Sequence, residues 1–275
     1  MIVVTGATGN VGRRLVATLA SAGEEVAAVS RRISAADVPD GVRPVQADLA
    51  EPAGLKTVFD GADRVFLLTS GDFMAAGGNV ADVVSAARES GVRRIVLLSS
   101  QGVGSGRHAP GFETAVKDSG LEWTVLRPGG FASNAFQWAP SIRADRVVAA
   151  PFADTALPVI DPLDIADVAA VVLRETGHNG QTYVLTGPEP ISPRQQAAAL
   201  GAALGEPVRF AELAEDEART EMSRFMPPVV VEATLAILGS PTADEQRVSP
   251  DVERVLGRPG RTFGEWAARN AAAFT

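Results

Sequence analysis

The sequence predicts an α/β protein with a doubly wound parallel sheet and a smaller, mostly helical C-terminal lobe. In the first two-thirds of the chain, short and continuously apolar runs alternate with amphipathic stretches, which is the rhythm of βαβ units. A glycine-rich turn with the sequence TGATGNVG, at Thr5–Gly12, joins the first apolar run to the first amphipathic stretch. Together these two observations favour one sheet with helices on both of its faces.

The apolar runs are typical of strands that helices cover on both faces, because such strands lose the alternation of polar and apolar residues. We predict strands at Met1–Thr5, Glu25–Ser30, Val42–Gln46, Arg64–Thr69, Arg94–Ser99 and Glu122–Arg127. We predict helices between them at Asn10–Ala22, Pro52–Asp60, Met74–Ser90 and Gly111–Ser119. Three of these helices run into Gly23, Gly61 or Gly91, where a left-handed C-terminal cap is least strained.

Beyond Pro128 the pattern becomes irregular and richer in Gly and Pro. We predict a strand at Gln181–Thr186 and helices at Asp164–Glu175, Pro193–Leu204 and onward to Phe274. Two short runs, Val147–Ala149 and Tyr183–Leu185, are expected to extend the main sheet. Since no linker precedes this part, we expect one domain over residues 1–275, with a cofactor-binding core at 1–130 and a substrate-binding lobe at 131–275.

Composition argues against several classes of protein. A net charge of −8 disfavours docking onto nucleic acid. Without cysteine, and with only His108 and His178 as imidazoles, a metal centre is not expected. The sequence shows neither a signal-peptide pattern nor an apolar run of ~20 residues, so we expect a cytoplasmic protein that does not enter the membrane. Arginine in place of nearly all lysine suggests a GC-rich bacterial genome.

The glycine-rich turn predicts a dinucleotide-binding Rossmann fold. Gly6 permits the tight turn, Gly9 lets the backbone approach a pyrophosphate, and Gly12 allows helix and strand to pack closely. The unpaired N–H groups at the helix N-terminus favour the phosphates. The expected contacts from this turn are Gly6, Thr8, Gly9, Asn10, Val11 and Gly12.

The end of the second predicted strand favours NADP over NAD. An NAD site normally places Asp or Glu there to hold the ribose 2′-hydroxyl, whereas this chain has Ser30, Arg31 and Arg32. A guanidinium can pair with a 2′-phosphate, although both arginines are also compatible with solvated loop charges. After the third strand, Asp48 and Leu49 are placed to meet the adenine, and Asp48 is equally suited to cap the following helix.

Four segments resemble the NmrA-like branch of the atypical short-chain dehydrogenases, and within it the quinone oxidoreductase type 2 group. They are TGATGNVG, SGLEWTVLRPGGFASN at Ser119–Asn134, DIADVAA at Asp164–Ala170 and YVLTGPE at Tyr183–Glu189. The resemblance extends to about Gly205. It implies NAD(P) across the carboxyl edge of the sheet, a substrate cleft beside the C-terminal lobe, and further cofactor contacts. These contacts are Leu68, Thr69, Ser70, Ser99, Pro128, Gly129 and Phe131.

The chain departs from the usual short-chain pattern at the catalytic acid. Ordinary members use Tyr-x-x-x-Lys, in which an ammonium lowers the pKa of the phenol. Counting back from Glu113, which matches the family's Glu seven residues before Gly120, these positions fall near Ser105 and Ala109. The single tyrosine, Tyr183, lies in a late strand and is expected to be a core residue.

Three side chains near this position are candidates for catalysis. His108 lies one residue from the family's Lys position, and histidine exchanges protons near neutral pH. Ser99 and Ser100 end the fifth strand and can bond substrate or nicotinamide ribose. Each of the three is also compatible with a purely structural role, and Lys117 is expected to be solvated at a helix end.

Aromatic residues after the sixth strand suggest a flat substrate, although core packing explains them nearly as well. The expected substrate contacts are Gln101, Phe131, Asn134, Phe136 and Trp138. We therefore expect an NAD(P)H-dependent oxidoreductase, monomeric or homodimeric, that transfers hydride to a conjugated carbonyl such as a quinone or aromatic polyketide. The alternatives are a redox-sensing regulator that binds NAD(P) without turnover, and an epimerase-like tailoring enzyme, which the absent phenol disfavours.

Overall fold

The computed structural model describes residues 1–69, 71, 73–224 and 226–275. The chain forms two units, each with its own core. The first comprises Met1–Val103, His108–Pro128 and Pro162–Val184. The second comprises Gly104–Arg107, Gly129–Asp161 and Leu185–Thr275. The prediction of one domain over residues 1–275, with a cofactor-binding core at 1–130 and a substrate-binding lobe at 131–275, stays a prediction.

The strands of the first unit match the sequence prediction closely. Each strand before Gly129 begins and ends within two residues of its predicted bounds. The strands are β1 (Ile2–Thr5), β2 (Val26–Ser30), β3 (Arg43–Gln46), β4 (Arg64–Leu67), β5 (Arg94–Leu98), β6 (Glu122–Pro128), β7 (Val147–Ala150), β8 (Gln181–Leu185) and β9 (Arg209–Glu212).

The helices follow the strands in the expected alternation. The α-helices up to residue 174 are α1 (Gly12–Ser21), α2 (Leu55–Phe59), α3 (Val80–Glu89), α4 (Gln101–Gly104), α5 (Gly111–Lys117), α6 (Ala139–Asp145) and α7 (Pro162–Arg174). The later ones are α8 (Pro193–Leu204), α9 (Glu215–Met222), α10 (Pro228–Gly239), α11 (Ala243–Gln246), α12 (Asp251–Leu256) and α13 (Phe263–Asn270). Short 3₁₀ segments lie at Ala35–Asp37, Pro52–Gly54, Ala132–Trp138 and Ala271–Ala273.

Two helix predictions were too long. The helix predicted from Met74 begins only at Val80, because the side chain of Asn79 accepts the N–H of Ala81 and so caps the helix there. Before it, the N–H of Gly78 bonds the carbonyl of Phe73 in a turn. The helix predicted at Pro52–Asp60 divides into a 3₁₀ segment and α2.

The main sheet has the doubly wound order β3-β2-β1-β4-β5-β6-β8 among the described residues. The strands from β3 to β6 pair in parallel, with β1 between β2 and β4. Helices α1 and α7 pack together, whereas α2, α3 and α5 pack against one another. Apolar residues of this second group of helices bury the facing strand residues, which include Val3, Val29 and Leu97. The predicted fold class is confirmed.

The strand at 147–150 corrects one prediction. It does not extend the main sheet but pairs in parallel with β9 in a separate two-stranded sheet of the second unit. Sequence analysis did not predict β9, which has only one half-buried residue and three exposed ones and therefore lacks an apolar run. The core of this unit packs α8 and α13 around Trp266, Phe263 and Phe274. Within the residues that the structure describes, no helix is long and apolar enough to span a membrane.

Candidate functional site

A cavity of about 260 Å³ opens at the carboxyl ends of the first four strands. In an open α/β sheet this edge binds ligands where the strand order reverses, here between β1 and β4. The cavity is lined by Thr5, Gly6, Thr8, Gly9, Val29, Ser30, Arg31, Ala47, Asp48, Leu49, Leu68 and Phe73. All of these residues belong to the first unit.

The glycines of the turn between β1 and α1 are set by close contacts. Gly6 has a left-handed backbone with φ +62°, and a Cβ there would lie 2.1 Å from Cδ2 of Leu68. A Cβ on Gly12 would lie 2.2 Å from the carbonyl oxygen of Gly6, so the helix meets the turn without room for a side chain. Gly9 differs, because a Cβ there would meet only the carbonyl oxygen of Gly6, at 3.3 Å. Gly9 therefore leaves the cavity edge open rather than closing the turn.

The adenosine side of the predicted site is built from two elements. The hydroxyl of Thr8 lies 2.9 Å from the hydroxyl of Ser30, which links the turn to the end of β2. Arg31 lines the cavity next to Ser30. Asp48 lines the cavity, and its Oδ1 accepts the N–H of Ala50 in the turn after β3. It does not cap the following 3₁₀ segment, whose N-cap is Glu51, and its contact with adenine stays a prediction.

These features fit a dinucleotide. The α1 N-terminus and the open edge at Gly9 suit a pyrophosphate, and the cavity is of a size for part of an extended ligand. Eight of the predicted cofactor contacts line the cavity: Gly6, Thr8, Gly9, Ser30, Arg31, Asp48, Leu49 and Leu68. The predicted contacts that do not line it are Asn10, Val11, Gly12, Arg32, Thr69, Ser99, Pro128, Gly129 and Phe131. Ser70 lies outside the described residues. Sequence analysis missed Thr5, Val29, Ala47 and Phe73.

Thr5 could have been predicted as a site residue from its position. It is the last residue of β1, fully buried, and its hydroxyl bonds both the carbonyl and the N–H of Leu68, each at 2.8 Å. A buried hydroxyl at the end of a central strand needs such partners. Phe73 lies in the loop after β4, where no periodicity indicates its burial.

At the end of β5, Ser99 belongs to a buried charge cluster. The carboxylate of Glu113 accepts the hydroxyl of Ser99 at 2.7 Å, two N–H groups of Arg127 at 2.8 and 2.7 Å, and the ammonium of Lys117 at 2.9 Å. Lys117 is thus paired, contrary to the expectation that it is solvated. Its ammonium also lies 5.3 Å from the ring centre of Trp123.

The cluster holds Glu113 ionised. Burial alone would raise the pKa of its carboxyl, but the hydrogen bonds from Arg127, Lys117 and Ser99 outweigh that effect and lower the pKa to about 2. An ionised carboxylate only accepts hydrogen bonds, so the proton between Ser99 and Glu113 stays on the serine and points at Glu113. The free lone pairs of Ser99 can accept a bond from a ligand, whereas its proton is already used.

Ser100 and His108 form a second pair beside this cluster. The hydroxyl of Ser100 accepts the N–H of Gly102 at 3.0 Å and lies 3.1 Å from Nδ1 of His108. The backbone N–H of His108 bonds the carbonyl of Gly102 at 2.9 Å. A Cβ on Gly102 would lie 2.6 Å from Nδ1, so this glycine allows the ring to approach. The imidazole itself is exposed.

Tyr183 is a core residue, as predicted. It is buried in β8, and its hydroxyl lies 2.8 Å from Nδ1 of His178. Burial lowers the pKa of that histidine. His178 precedes β8 and Tyr183 lies within it, and their side chains form a hydrogen bond with each other.

The remaining predicted residues are mostly found in the second unit. Trp138 is buried in its core, and the exposed ring of Phe136 stacks on Phe274 at 5.8 Å and meets Trp266 edge-on. Asn134 is exposed, and Phe131, half-buried, forms a parallel bridge with Ile160. The N–H of Gly129 bonds the carbonyl of Leu185. Gln101, at the start of α4, belongs to the first unit. Their role as substrate or cofactor contacts stays a prediction.

Comparison with known proteins gives consistent matches. Residues 6–176 match a family described as NAD(P)H-binding. The (4-alkanoyl-5-oxo-2,5-dihydrofuran-3-yl)methyl phosphate reductase of Streptomyces griseus is 41% identical over 100% of this chain and 99% of its own. The NAD(P)H azoreductase of Xenophilus azovorans is 34% identical over 100% and 99%. The crystal structure of the NADPH-dependent quinone oxidoreductase of Escherichia coli with NADPH has a TM-score of 0.82 at 25% identity, covering 98% and 99%. The resemblance found from the motifs is confirmed.

The Glu113 cluster predicts a pH-dependent stability. Because the folded pKa of about 2 lies below the ordinary 4.5, the ionised form favours folding by roughly 3 kcal/mol above pH 4.5, and this contribution disappears as the pH falls towards 2. Urea unfolding of Glu113→Gln should show that loss at pH 7 and a smaller one near pH 3. Glu122→Gln, which breaks a half-exposed pair with Arg94, is the control and should cost under ~1 kcal/mol. A loss for Glu113→Gln that is equal at both pH values would contradict the assignment.

Gly9 and Gly12 have different surroundings, so substitutions at these two positions should have different effects on binding and stability. Gly9→Val should lower the melting temperature less than a substitution at Gly12 and lose dinucleotide binding, because its Cβ meets the carbonyl oxygen of Gly6 at 3.3 Å, the site has no left-handed φ, and the added side chain occupies the cavity edge. Gly12→Ala should instead lower the melting temperature, since its Cβ collides with backbone. Calorimetric titration with NADPH and thermal unfolding of both variants measure this. Undiminished binding by folded Gly9→Val would remove the pyrophosphate from this cavity.

Proposed function

The chain belongs to the NAD(P)H-binding family, and we propose that this NAD(P)H-dependent oxidoreductase reduces flat conjugated carbonyl acceptors whose reduced form is a delocalised oxygen anion. Quinones, aromatic polyketides and acyl-substituted unsaturated lactones are acceptors of this kind. The cofactor, when bound, supplies the hydride, which adds to the acceptor and leaves the negative charge on its conjugated oxygen atoms. The protein then has to orient the acceptor and bring one proton to an oxygen or carbon of the anion.

The observation that carries this proposal is the state of the proton donors around β5. The tyrosine is buried against His178, the ammonium of Lys117 is bound to Glu113, and the proton of Ser99 is directed at the same carboxylate. A reduced product with a strongly basic alkoxide needs a matched acid in the site. A delocalised anion has no such need, because water or a histidine can protonate it.

The names of the relatives support the same class of acceptor. A 4-alkanoyl-5-oxo-2,5-dihydrofuran, the core of the compound named for the Streptomyces relative, has a ring double bond conjugated with two carbonyl groups. Hydride addition to that double bond gives the anion of a 1,3-dicarbonyl. The quinones named for the Escherichia coli relative are conjugated carbonyl compounds as well. The azo compounds named for the Xenophilus relative share only the extended conjugation, because hydride addition to their N=N bond leaves the charge on nitrogen.

Ser100 and His108 supply the assisted route for the proton. The hydroxyl of Ser100 already accepts the N–H of Gly102, and we assign its own proton to Nδ1 of His108. The ring then carries its proton on Nε2, on an exposed imidazole that can donate it. Ser99 keeps lone pairs for a nicotinamide amide or a ribose hydroxyl. In this assignment His108 is the proton donor, and Ser100 fixes its tautomer.

The preferred cofactor is NADPH. The end of β2 offers Arg31 to the cavity where an NAD site would hold a carboxylate on the ribose. A guanidinium binds a 2′-phosphate through charge-assisted hydrogen bonds and has nothing comparable to bind in NADH.

Removing Arg31 should therefore change the cofactor preference. Arg31→Ala is expected to weaken NADPH roughly tenfold to a hundredfold, the value of ~1.5–3 kcal/mol for a lost charged hydrogen bond, with NADH little affected. Titration calorimetry with both cofactors measures the two affinities. Arg32→Ala, outside the cavity lining, should have the smaller effect. A wild-type protein that binds NADH more tightly than NADPH would refute the preference.

The role of His108 can be tested with acceptors of graded product basicity. Wild type should oxidise NADPH with a quinone and with an alkanoyl-dihydrofuranone, and poorly with a simple unconjugated ketone. His108→Ala should lose little with the quinone and up to ~10²–10⁴-fold with acceptors that leave a more basic oxygen, because general acid catalysis matters more there. With these acceptors, the turnover of Ser100→Ala should lie between those of wild type and His108→Ala.

Two outcomes would contradict this assignment. An equal loss for all acceptors in His108→Ala would indicate that the histidine supports the cofactor or the loop rather than donating a proton. If wild type binds NADPH and reduces none of the acceptors, the reductase proposal fails, and binding without turnover favours the sensing role.

A further inference from the structure

Arg13 places a second positive charge at the mouth of the glycine turn. It is the second residue of α1 and is exposed, and its backbone N–H bonds the carbonyl of Gly9 at 3.1 Å. Side chains on a helix lean towards the N-terminus. The guanidinium follows this direction and donates to the carbonyl oxygen of Thr8 at 3.3 Å. Its charge therefore lies over the turn and not along the helix.

Arg31 directly follows β2 and lines the same cavity as this turn. Thr8 and Ser30 are joined by their hydroxyls at 2.9 Å, and both line the cavity together with Arg31. Arg13 is anchored to Thr8, whereas Arg31 directly follows Ser30 in the chain. Arg13, which is not among the cavity-lining residues, is thus bound to one residue of the hydroxyl pair, and Arg31, which lines the cavity, follows the other in the chain.

The charge of Arg13 also acts on Asp37, in the segment after β2. The hydroxyl and the backbone N–H of Ser34 bond Asp37 and lower the pKa of its carboxyl, and the charge of Arg13 lowers it further. Arg13 therefore lies close enough to the segment that follows Arg31 to act on it electrostatically. Asp37 is held by Ser34, which keeps its carboxylate within its own turn.

We propose that Arg13 is the second guanidinium of a 2′-phosphate subsite and that it acts with Arg31 in selecting NADPH over NADH. The inference rests on the proposed preference for NADPH and adds a residue that the sequence pattern did not indicate. A phosphate monoester carries about −1.5 to −2 charges at pH 7, so a single arginine leaves about half of that charge uncompensated. Arg13 belongs to α1, so its position does not depend on the loop that carries Arg31.

The test compares neighbouring arginines of one helix. Arg13→Gln removes the charge, and Arg14→Gln, also exposed on α1, is the matched control. Calorimetric titrations use NADPH, NADH, adenosine 2′,5′-bisphosphate and 5′-AMP, with no acceptor present. Arg13→Gln should weaken the two ligands with a 2′-phosphate by about tenfold, the effect of one charged hydrogen bond, and the other two by less than about threefold. Arg14→Gln should change none of them.

A pH series adds a readout that a structural role would not change. The second ionisation of a phosphate monoester lies near pH 6, so at pH 5 the group carries about one charge, and Arg31 alone nearly balances it. The loss caused by Arg13→Gln should therefore be clearly smaller at pH 5 than at pH 7.5. Arg13→Lys, which keeps the charge, should restore much of the affinity at pH 7.5.

The possible results separate the proposals. Equal weakening of NADPH and NADH in Arg13→Gln would show that Arg13 only braces the turn through Thr8, and unchanged affinities would place it outside the site. If Arg31→Ala removes the preference for NADPH while Arg13→Gln does not, the preference stands and this inference fails. A wild-type protein that prefers NADH refutes both. Failure to reduce any acceptor leaves these binding results unaffected, so the reductase proposal is judged separately.

Discussion

The close approach of α1 to the turn that precedes it is the constraint on which the site depends. The carbonyl oxygen of Gly6 occupies the space that a side chain on Gly12 would need, and Leu68 occupies that of Gly6. Because the turn closes this tightly, Thr8 lies against Ser30, and the turn lines the cavity through Gly6, Thr8 and Gly9. The bonds from Thr5 to Leu68 fix β1 against β4, at the point where the strand order reverses. A larger residue at either glycine would displace the cavity wall as well as the helix.

The buried carboxylate of Glu113 imposes the second constraint, beside the end of β5. Burying a charge without partners is strongly unfavourable, and here Arg127, Lys117 and Ser99 compensate it. The same bonds remove Ser99 and Lys117 from the set of groups that could give up a proton. In the proposed function, this cluster therefore limits which groups can donate a proton. The proposed proton donor, His108, depends for its position on a neighbouring glycine, Gly102.

Sequence patterns predicted the parts of the molecule that are encoded locally. The apolar runs gave the strands of the main sheet, and the spacing of Gly6, Gly9 and Gly12 gave the turn between β1 and α1. The failures share a physical cause. Strand β9 is mostly exposed, and the late start of α3 depends on a side-chain cap at Asn79. Neither feature is visible in hydrophobic periodicity.

For the site, the sequence predicted residues by type and position but not by partner. Arg31 and Asp48, which were predicted as cofactor contacts from their positions after β2 and β3, both line the cavity. Lys117 was misjudged because its partner, Glu113, is buried, and burial cannot be read from a charged residue on a short helix. Arg13, which we propose as a phosphate contact, was not predicted for the opposite reason, since an exposed arginine on a helix is ordinary until its side chain is seen to fold back over the turn. In the proposed function, a site without a matched acid uses acceptors that stabilise their own negative charge. The selection of acceptors then follows from their electronic structure more than from a proton donor matched to one reaction.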